Sequence, residues 1–351
     1  MQPKAFNPEM LILARESRGM TQKELAERAH ISQSRISKLE DGIFVTPPDD
    51  ALLMAFSLAL NYPVNFFSQT GTPRVAAAYR RRSTVPTSIL NQCEARVNVQ
   101  RLQIEKLFLG SDFETKDLPF IDPDECPGGA PEVAQRVRRL WNIPRGPIKN
   151  LTKLVEDAGC IVVHFEFGTK KMNGLRMWAD KNRPIIFLNP SFPPDSMRLS
   201  LAEEFGHTVM HRVETPNMEA EAKSFASEFL MPKADIASSF YPLSIDHLAR
   251  LKLKWHVSMQ ALLHRAQELG AVKERYARYL WMELGRAGYR TSEPHQNLMT
   301  FEPPSLLAEM IDLHLGELGY SPDELAQALA MSRSEFENIY LSLPGHLRVV
   351  K

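Results

Sequence analysis

The chain has 351 residues, of which 44% are hydrophobic, and its formal net charge at pH 7 is zero. This length allows two or three packed domains, and the neutral balance excludes a global attraction to nucleic acid or membranes, so any DNA affinity must come from a local basic patch. Three widely spaced cysteines, an N-terminus without a signal pattern and no apolar run near about 20 residues predict a cytoplasmic protein without a membrane anchor.

The first seventy residues have helical periodicity that breaks at regular places. Thr21 with Glu24 three residues later has the pattern of a capping box, which starts a helix. A short turn at His30 follows, and Ser32 has the position of the next N-cap. Two short helices joined by a tight turn, with the second polar and basic at its start, predict a helix-turn-helix unit.

The segment TQKELAERAHISQSRISKLEDG and the helical DDALLMAFSLALNYPVNFF after it resemble the Cro/repressor-like (XRE) helix-turn-helix family. The resemblance implies a five-helix DNA-binding domain over residues 1–70, with Ser32 to Lys38 in the major groove of double-stranded operator DNA. Base edges would be contacted by Gln33, Ser34 and Arg35, and phosphates by Gln22, Ser37 and Lys38. His30 replaces the usual glycine of the turn, which costs energy in the left-handed conformation. The alternative is a helix-turn-helix that contacts only protein.

Residues 71–130 are predicted to form a linker and a connecting helix. Arg80, Arg81 and Arg82 are expected to be a solvated linker face, and contact with a DNA backbone is the alternative. The apolar spacing over residues 89–110 indicates the connecting helix, which is suited to docking or dimer pairing.

Residues 131–270 are predicted to form an α+β domain in a mostly helical protein. The runs CIVVHFEF, GLRMWAD and PIIFLNP indicate three strands, because they are β-branched or aromatic and are bounded by Gly, Asn and Pro. A helix over residues 194–212 follows, and NMEAEAKSFASEFLMP forms the next one. Helices packed with a small three-stranded sheet are therefore expected.

GLRMWADKNRPIIFLNP, EEFGHTVMH and EAEAKSFASEFLMP resemble the ImmA/IrrE family of zinc-metallopeptidase-like domains, which have a zincin-like fold. Residues four apart on a helix share a face, so positions 203 and 207 can grip one ion. The resemblance implies that His207 and Glu219 are metal ligands and that Glu204 is the general base for water attack on a peptide carbonyl. Glu221 and Glu228 are alternatives for the third ligand. Glu203 stands where the family has its first histidine ligand.

The change at residue 203 leaves three outcomes open. Glu203 can still ligate, and a Glu-His-Glu set holds zinc less selectively and tolerates manganese. Its extra negative charge can weaken the polarisation of water, so that hydrolysis slows. The pocket can also hold no metal, with Glu203 paired with an arginine. Lost or strongly weakened peptidase activity is the favoured interpretation.

Residues 271–351 are predicted to form a helical C-terminal domain. A helix-turn-helix outline is present over 244–268, and another over 321–340, where Ser321 and Glu324 form a capping box and Ser332 begins the next helix. Glu335 and Glu337 stand where DNA readers carry basic residues, so this second outline predicts a protein interface.

Three functions are consistent with the sequence. The first is a DNA-binding transcriptional regulator whose degenerate peptidase-like domain serves as a sensor or partner-binding module. The second is an active metal-dependent endopeptidase that cleaves a regulatory protein. The third is an antitoxin-like or phage-related interaction protein. A homodimer on an inverted repeat is expected, because one small helix-turn-helix reads few base pairs.

Overall fold

The computed structural model describes residues 6–44, 46–71, 74–75, 78–79, 85–109, 118–180 and 183–343 of the chain. The three arginines at positions 80–82 lie outside these ranges. None of the helices in the described ranges combines the length and the apolar character that crossing a bilayer requires.

The N-terminal domain contains four α-helices and a short 3-10 helix at Val64–Ser68, which agrees with the predicted repressor-like fold. The α-helices are α1 Pro8–Ser17, α2 Gln22–Arg28, α3 Gln33–Glu40 and α4 Asp50–Leu60. The predicted capping box starts α2, because the Thr21 side chain accepts from the Glu24 backbone and the Glu24 side chain accepts from the Thr21 backbone. Leu11, Leu25 and Phe56 are fully buried in the core of this domain.

A single long helix, α5 Thr87–Phe108, connects this domain to the rest of the chain. Ala95 and Val99 of α5 pack into the core of the N-terminal domain. Val97 and Ile104, on another face of α5, belong to a second core beneath the sheet. Because α5 belongs to both cores, the N-terminal domain is packed against the domain that contains the sheet and is not joined to it by a linker alone.

The sheet has the strand order β1-β3-β4-β2, where the strands are β1 Ala78–Tyr79, β2 Ile161–His164, β3 Gly174–Asp180 and β4 Arg183–Leu188. The last three are the strands that the sequence predicts. They form an antiparallel pair, β3 with β4, and a parallel pair, β2 with β4. The two-residue β1 was not predicted, and it places the backbone of Ala78 opposite Arg176 of β3.

Helices cover one face of the sheet: α6 Gly129–Leu140, α7 Leu151–Asp157, α8 Pro194–Met210, α9 Met218–Leu230, α10 Lys233–Ile236, α11 Ile245–Trp255 and α12 Met259–Glu268. Val162 and Ile186 of the sheet share their core with Phe205 of α8 and Phe229 of α9. This packing holds α8 and α9 side by side next to the strands.

The C-terminal region adds α13 Glu274–Arg286, α14 Leu306–Gly316, α15 Pro322–Ala328 and α16 Arg333–Phe336. Leu280 and Leu284 of α13 join the core around α8. Met310 of α14 and Phe336 of α16 pack with Phe187 in the core on the opposite face of the sheet. The C-terminal helices therefore share cores with the preceding domain.

Candidate functional site

The N-terminal turn of α3 presents the residues predicted to read DNA. Ser32 caps the helix, and its Oγ accepts a hydrogen bond of 3.2 Å from the backbone N–H of Arg35. Gln33, Ser34 and Arg35 are exposed, whereas Ile36 faces the core. The apolar side of α3 is thus used for packing, and its first turn offers donors and a cation to solvent.

The residues predicted to bind phosphate differ in how freely they are presented. Lys38 is exposed, and Ser37 is half-buried and donates to Asp41 Oδ2 at 3.2 Å. Gln22 Nε2 donates to Glu40 Oε2 at 2.9 Å, and Glu40 also accepts from Arg15 at 2.6 and 2.9 Å. This buried network fixes the orientation of Gln22, whose amide keeps a second N–H and its carbonyl oxygen for other contacts.

His30 occupies the turn between α2 and α3 with a φ of 54°, in the left-handed region. The backbone N–H of Ile31 donates to the carbonyl of Ala26 at 3.0 Å, which closes the end of α2. A residue with a Cβ in this conformation costs about 1–2 kcal/mol. The turn therefore retains the helix-turn-helix geometry without the glycine that would adopt it most easily.

The helix α8 carries the metallopeptidase-like motif and is held in place at its N-terminus and near its centre. At its N-terminus, the buried Lys252 lies 2.6 Å from Asp195 Oδ2 and 2.8 Å from Glu293 Oε2. At its centre, a Cβ added to Gly206 would come within 2.6 Å of Phe225 Cδ1 of α9. Only glycine permits this approach, which brings the acidic start of α9 beside the C-terminal half of α8.

A chain of hydrogen bonds runs from His207 to α9. His207 Nδ1 lies 3.0 Å from His211 Nδ1, and His211 Nε2 lies 2.8 Å from Glu221 Oε2. Because a carboxylate only accepts, we infer that His211 Nε2 donates to Glu221, so that His211 Nδ1 accepts from His207. His207 Nε2 then faces Glu219 Oε1 at 3.5 Å, where a proton or another cation between the two stabilises the pair. His211, which ends α8, thus orients His207.

An arginine that the sequence did not single out lies in this site. Arg176 of β3 is buried, and its Nη1 is 3.7 Å from Oε2 of Glu204, the residue predicted to be the general base. Burial lowers the pKa of Arg176, and the charges of Glu204 and Glu219 act in the opposite direction. The guanidinium therefore lies beside two of the carboxylates that the sequence predicts to act in the site.

The predicted metal ligands are only partly brought together. Two ligands each about 2.0–2.2 Å from one zinc ion lie about 3–3.5 Å apart, so His207 and Glu219 have a suitable spacing. Glu203 is half-buried one turn earlier on α8. Among the residues that the structure describes, no group of three or more His, Cys, Asp or Glu side chains is placed to hold a metal ion. Arg176 adds a cation beside Glu204 to this arrangement.

The two alternative third ligands have other partners. Glu221 is occupied by His211, as described above. Glu228 is buried, forms an ion pair with Arg265 and accepts from Gln135 Nε2 at 2.9 Å.

These two sites, an exposed helix-turn-helix and a zincin-like helix pair beside a small sheet, define a helix-turn-helix protein with a metallopeptidase-like domain. Residues 11–67 match the family described as Helix-turn-helix, and residues 155–267 match the family described as IrrE N-terminal-like domain. The chain therefore combines an XRE-type domain with an ImmA/IrrE-like domain, as its motifs indicate. No curated protein sequence matches the chain.

Proposed function

We propose that the protein is a transcriptional regulator that binds operator DNA through α3 and carries a catalytically degenerate ImmA/IrrE-like domain as a sensor or partner-binding module. The observation that carries the second half of this proposal is the guanidinium of Arg176, 3.7 Å from Glu204. It gives the acidic pocket an internal cation in a chain that already lacks the first histidine ligand.

The DNA-binding half rests on the exposed first turn of α3. Because the formal net charge of the chain is zero, DNA affinity requires a local positive potential, to which the exposed Arg35 and Lys38 contribute. Arg35 has the length and the fork geometry that suit a guanine edge in the major groove. Lys38, one turn later, suits a phosphate.

The degenerate half rests on charge. A fixed guanidinium near Glu204 and Glu219 opposes a divalent cation in the same pocket, because like charges repel at this short distance. Glu203 adds a hard anionic donor where zinc prefers imidazole. Both features act against a polarised, metal-bound water.

Metal content tests this half. The purified protein and a Glu203→His variant are compared by elemental mass spectrometry after exposure to equimolar zinc or manganese, with Glu317→Gln, an exposed carboxylate that follows α14, as a control outside the pocket. We expect metal in the Glu203→His variant only. One equivalent in the unaltered protein would overturn the proposed loss of the metal site.

An active metal-dependent endopeptidase is the second candidate, and one observation favours it. His207 Nε2 and Glu219 Oε1 are 3.5 Å apart, and His211 and Glu221 support His207 from behind, as partners of a ligating histidine do. Such an enzyme would cleave a regulatory protein, and proteolysis that is lost on Glu204→Gln would establish it.

A homodimer on an inverted repeat completes the proposal. The helix α4 exposes Met54 by 52% and Leu58 by 78% on one face, which offers apolar surface to a second copy. We expect sedimentation to show two chains per operator and Leu58→Glu to give one. Leu298→Glu, which changes a leucine exposed by 60% on another part of the surface, is the matched control.

We also expect the protein to act in the cytoplasm, where operator DNA is accessible. The cysteines of the described ranges, Cys93, Cys126 and Cys160, are buried thiols without disulfides, which suits a reducing compartment. Fractionation of cells that express the chain would check this expectation.

A further inference from the structure

The helix pair α15–α16 repeats the local geometry of α2–α3, with each corresponding residue 300 positions further along the chain. Ser321 and Glu324 form the same capping box as Thr21 and Glu24. Ser332 caps the second helix, as Ser32 does in the first pair.

The turn between the helices is also repeated. Ala330 has a φ of 56°, and His30 has a φ of 54°. In both turns the next backbone N–H closes the first helix at 3.0 Å, from Ile31 to Ala26 and from Met331 to Ala326. Residues 321–340 are therefore a second helix-turn-helix unit, in which the second helix begins as α16 and continues as a π-helix over Glu337–Leu341, whereas α3 is α-helical throughout.

The surface of this second unit has the opposite chemistry. Glu335 corresponds to Arg35, and Glu337 corresponds to Ser37. Asn338 corresponds to Lys38, and Arg333 corresponds to Gln33. The unit thus lacks the cations of positions 35 and 38 and gains two carboxylates and one arginine, which pairs with Asp323 and Glu337 of the same unit. DNA phosphates repel such a helix.

The acidic unit contacts the N-terminal domain directly. Arg18 Nη1 at the end of α1 lies 2.6 Å from Glu335 Oε1, and Asn65 Nδ2 donates to the carbonyl of Gln327 at 2.8 Å. Arg18 also donates to the carbonyls of Leu60 and Asn61 at 2.7 and 2.9 Å. Ala330 is fully buried in the core of the N-terminal domain.

The other side of the unit contacts the remainder of the chain. Tyr340 Oη donates to Gln103 Oε1 of α5 at 2.8 Å, and both groups are buried. Phe336 packs with Met310 of α14 and Phe187 of β4. The unit thus joins the DNA-binding domain to the sheet that supports the peptidase-like pocket.

We propose that residues 321–340 are a helix-turn-helix unit that binds protein instead of DNA, that its partner is the N-terminal domain of the same chain, and that it sets the orientation of α3 relative to the peptidase-like domain. Glu335 is the positioning residue of this interface. The inference stands whether or not α3 reads DNA, because the interface lies at the ends of α1 and α4 and not on the exposed turn of α3.

Spin labels test the proposal in the full chain. Glu9→Cys on α1 and Met282→Cys on α13 are both exposed, and the protein is diluted with unlabelled copies so that only distances within one chain contribute. Glu335→Arg places a second cation against Arg18. Glu337→Arg is the matched control, since Glu337 pairs with Arg333 of its own unit. Glu335→Gln keeps an acceptor for Arg18.

We expect one narrow distance distribution for the unaltered chain, for Glu337→Arg and for Glu335→Gln. For Glu335→Arg we expect a broadened distribution, with the population at the original distance reduced about tenfold relative to displaced orientations, as an interface coupling of ordinary size would produce. A narrow, unshifted distribution for Glu335→Arg overturns the proposal, and so does equal broadening for Glu337→Arg. Operator affinity of the unaltered chain is measured separately, so a failure of the DNA-binding proposal can be distinguished from a failure of the interface proposal.

Discussion

The helices α3 and α8 carry the residues on which the two halves of the molecule depend, and they present them in opposite ways. Arg35 and Lys38 of α3 are exposed to solvent. The hydrogen bonds that hold α3 involve other groups, namely the Ser32 cap and the contact between Arg15 and Glu40. On α8, His207 and Glu204 face counter-groups of the same chain, namely His211, Glu219 and Arg176. The exposed charges of α3 are solvated and remain available to an external partner, whereas the charges of the α8 pocket are already paired within the chain.

The largest effect is expected for Arg35→Ala. If α3 reads base edges, loss of the guanidinium weakens operator binding about 10- to 100-fold and relaxes the preference at one base pair. Fluorescence anisotropy with a selected operator measures this, and Arg275→Ala on α13 is the control, because it removes an exposed arginine far along the chain. Equal operator affinities for both variants would mean that Arg35 does not contact DNA, and α3 would then not differ from α8 in needing an external partner.

The next effect concerns the packing that creates the α8 pocket. Gly206→Ala forces a Cβ to within 2.6 Å of the Phe225 ring, so we expect the free energy of unfolding to fall by about 1–3 kcal/mol. Gly316→Ala at the end of α14 is the matched control, since no atom of another residue would lie within 4 Å of its Cβ. Urea denaturation compares the two, and an unchanged midpoint for Gly206→Ala would contradict the close approach of α9.

The difference between the two regions also decides how much the sequence could predict. The fold of residues 8–68 and the strands β2 to β4 follow from caps and periodicity, because these signals are local. Arg176 was missed, although β3 alternates: Leu175 and Met177 face the core beneath the sheet, which places Arg176 on the α8 side. That the guanidinium would meet Glu204 depends on the distance between β3 and α8, which no local pattern encodes.

For the helix pair of residues 321–340, the sequence could predict that the partner is a protein but not which residues it contacts. The carboxylates at 335 and 337 indicate a protein interface, and the structure places Glu335 against Arg18. Arg18 lies more than three hundred residues away in the chain, so the contact depends on how α5 and α14 stack. The charge of an exposed helix predicts whether it binds protein or DNA. Tertiary packing determines which residue it contacts.

A smaller effect is expected when the internal cation is removed from the pocket. In the Glu203→His background, Arg176→Gln should raise zinc affinity about tenfold, because loss of a like charge beside a ligand set has an effect of about one pKa unit or more. Calorimetric titration of both proteins measures the difference, and Arg275→Gln on α13 is the control, because it removes an exposed arginine outside the pocket. Unchanged affinity would mean that the guanidinium does not oppose a cation there.

The smallest effect is expected at the turn before α3. His30→Gly removes the strain of a Cβ at a φ of 54°, and the gain is partly offset by the greater freedom of glycine in the unfolded chain, so we expect stabilisation by about 0.5–1 kcal/mol. His30→Ala, which removes the imidazole and keeps the Cβ, should bring no such gain. Thermal denaturation resolves the two variants. If both variants were equally stable, the histidine side chain and not the backbone conformation would determine the stability of this turn. The position of α3 would then depend on an interaction from outside α2 and α3.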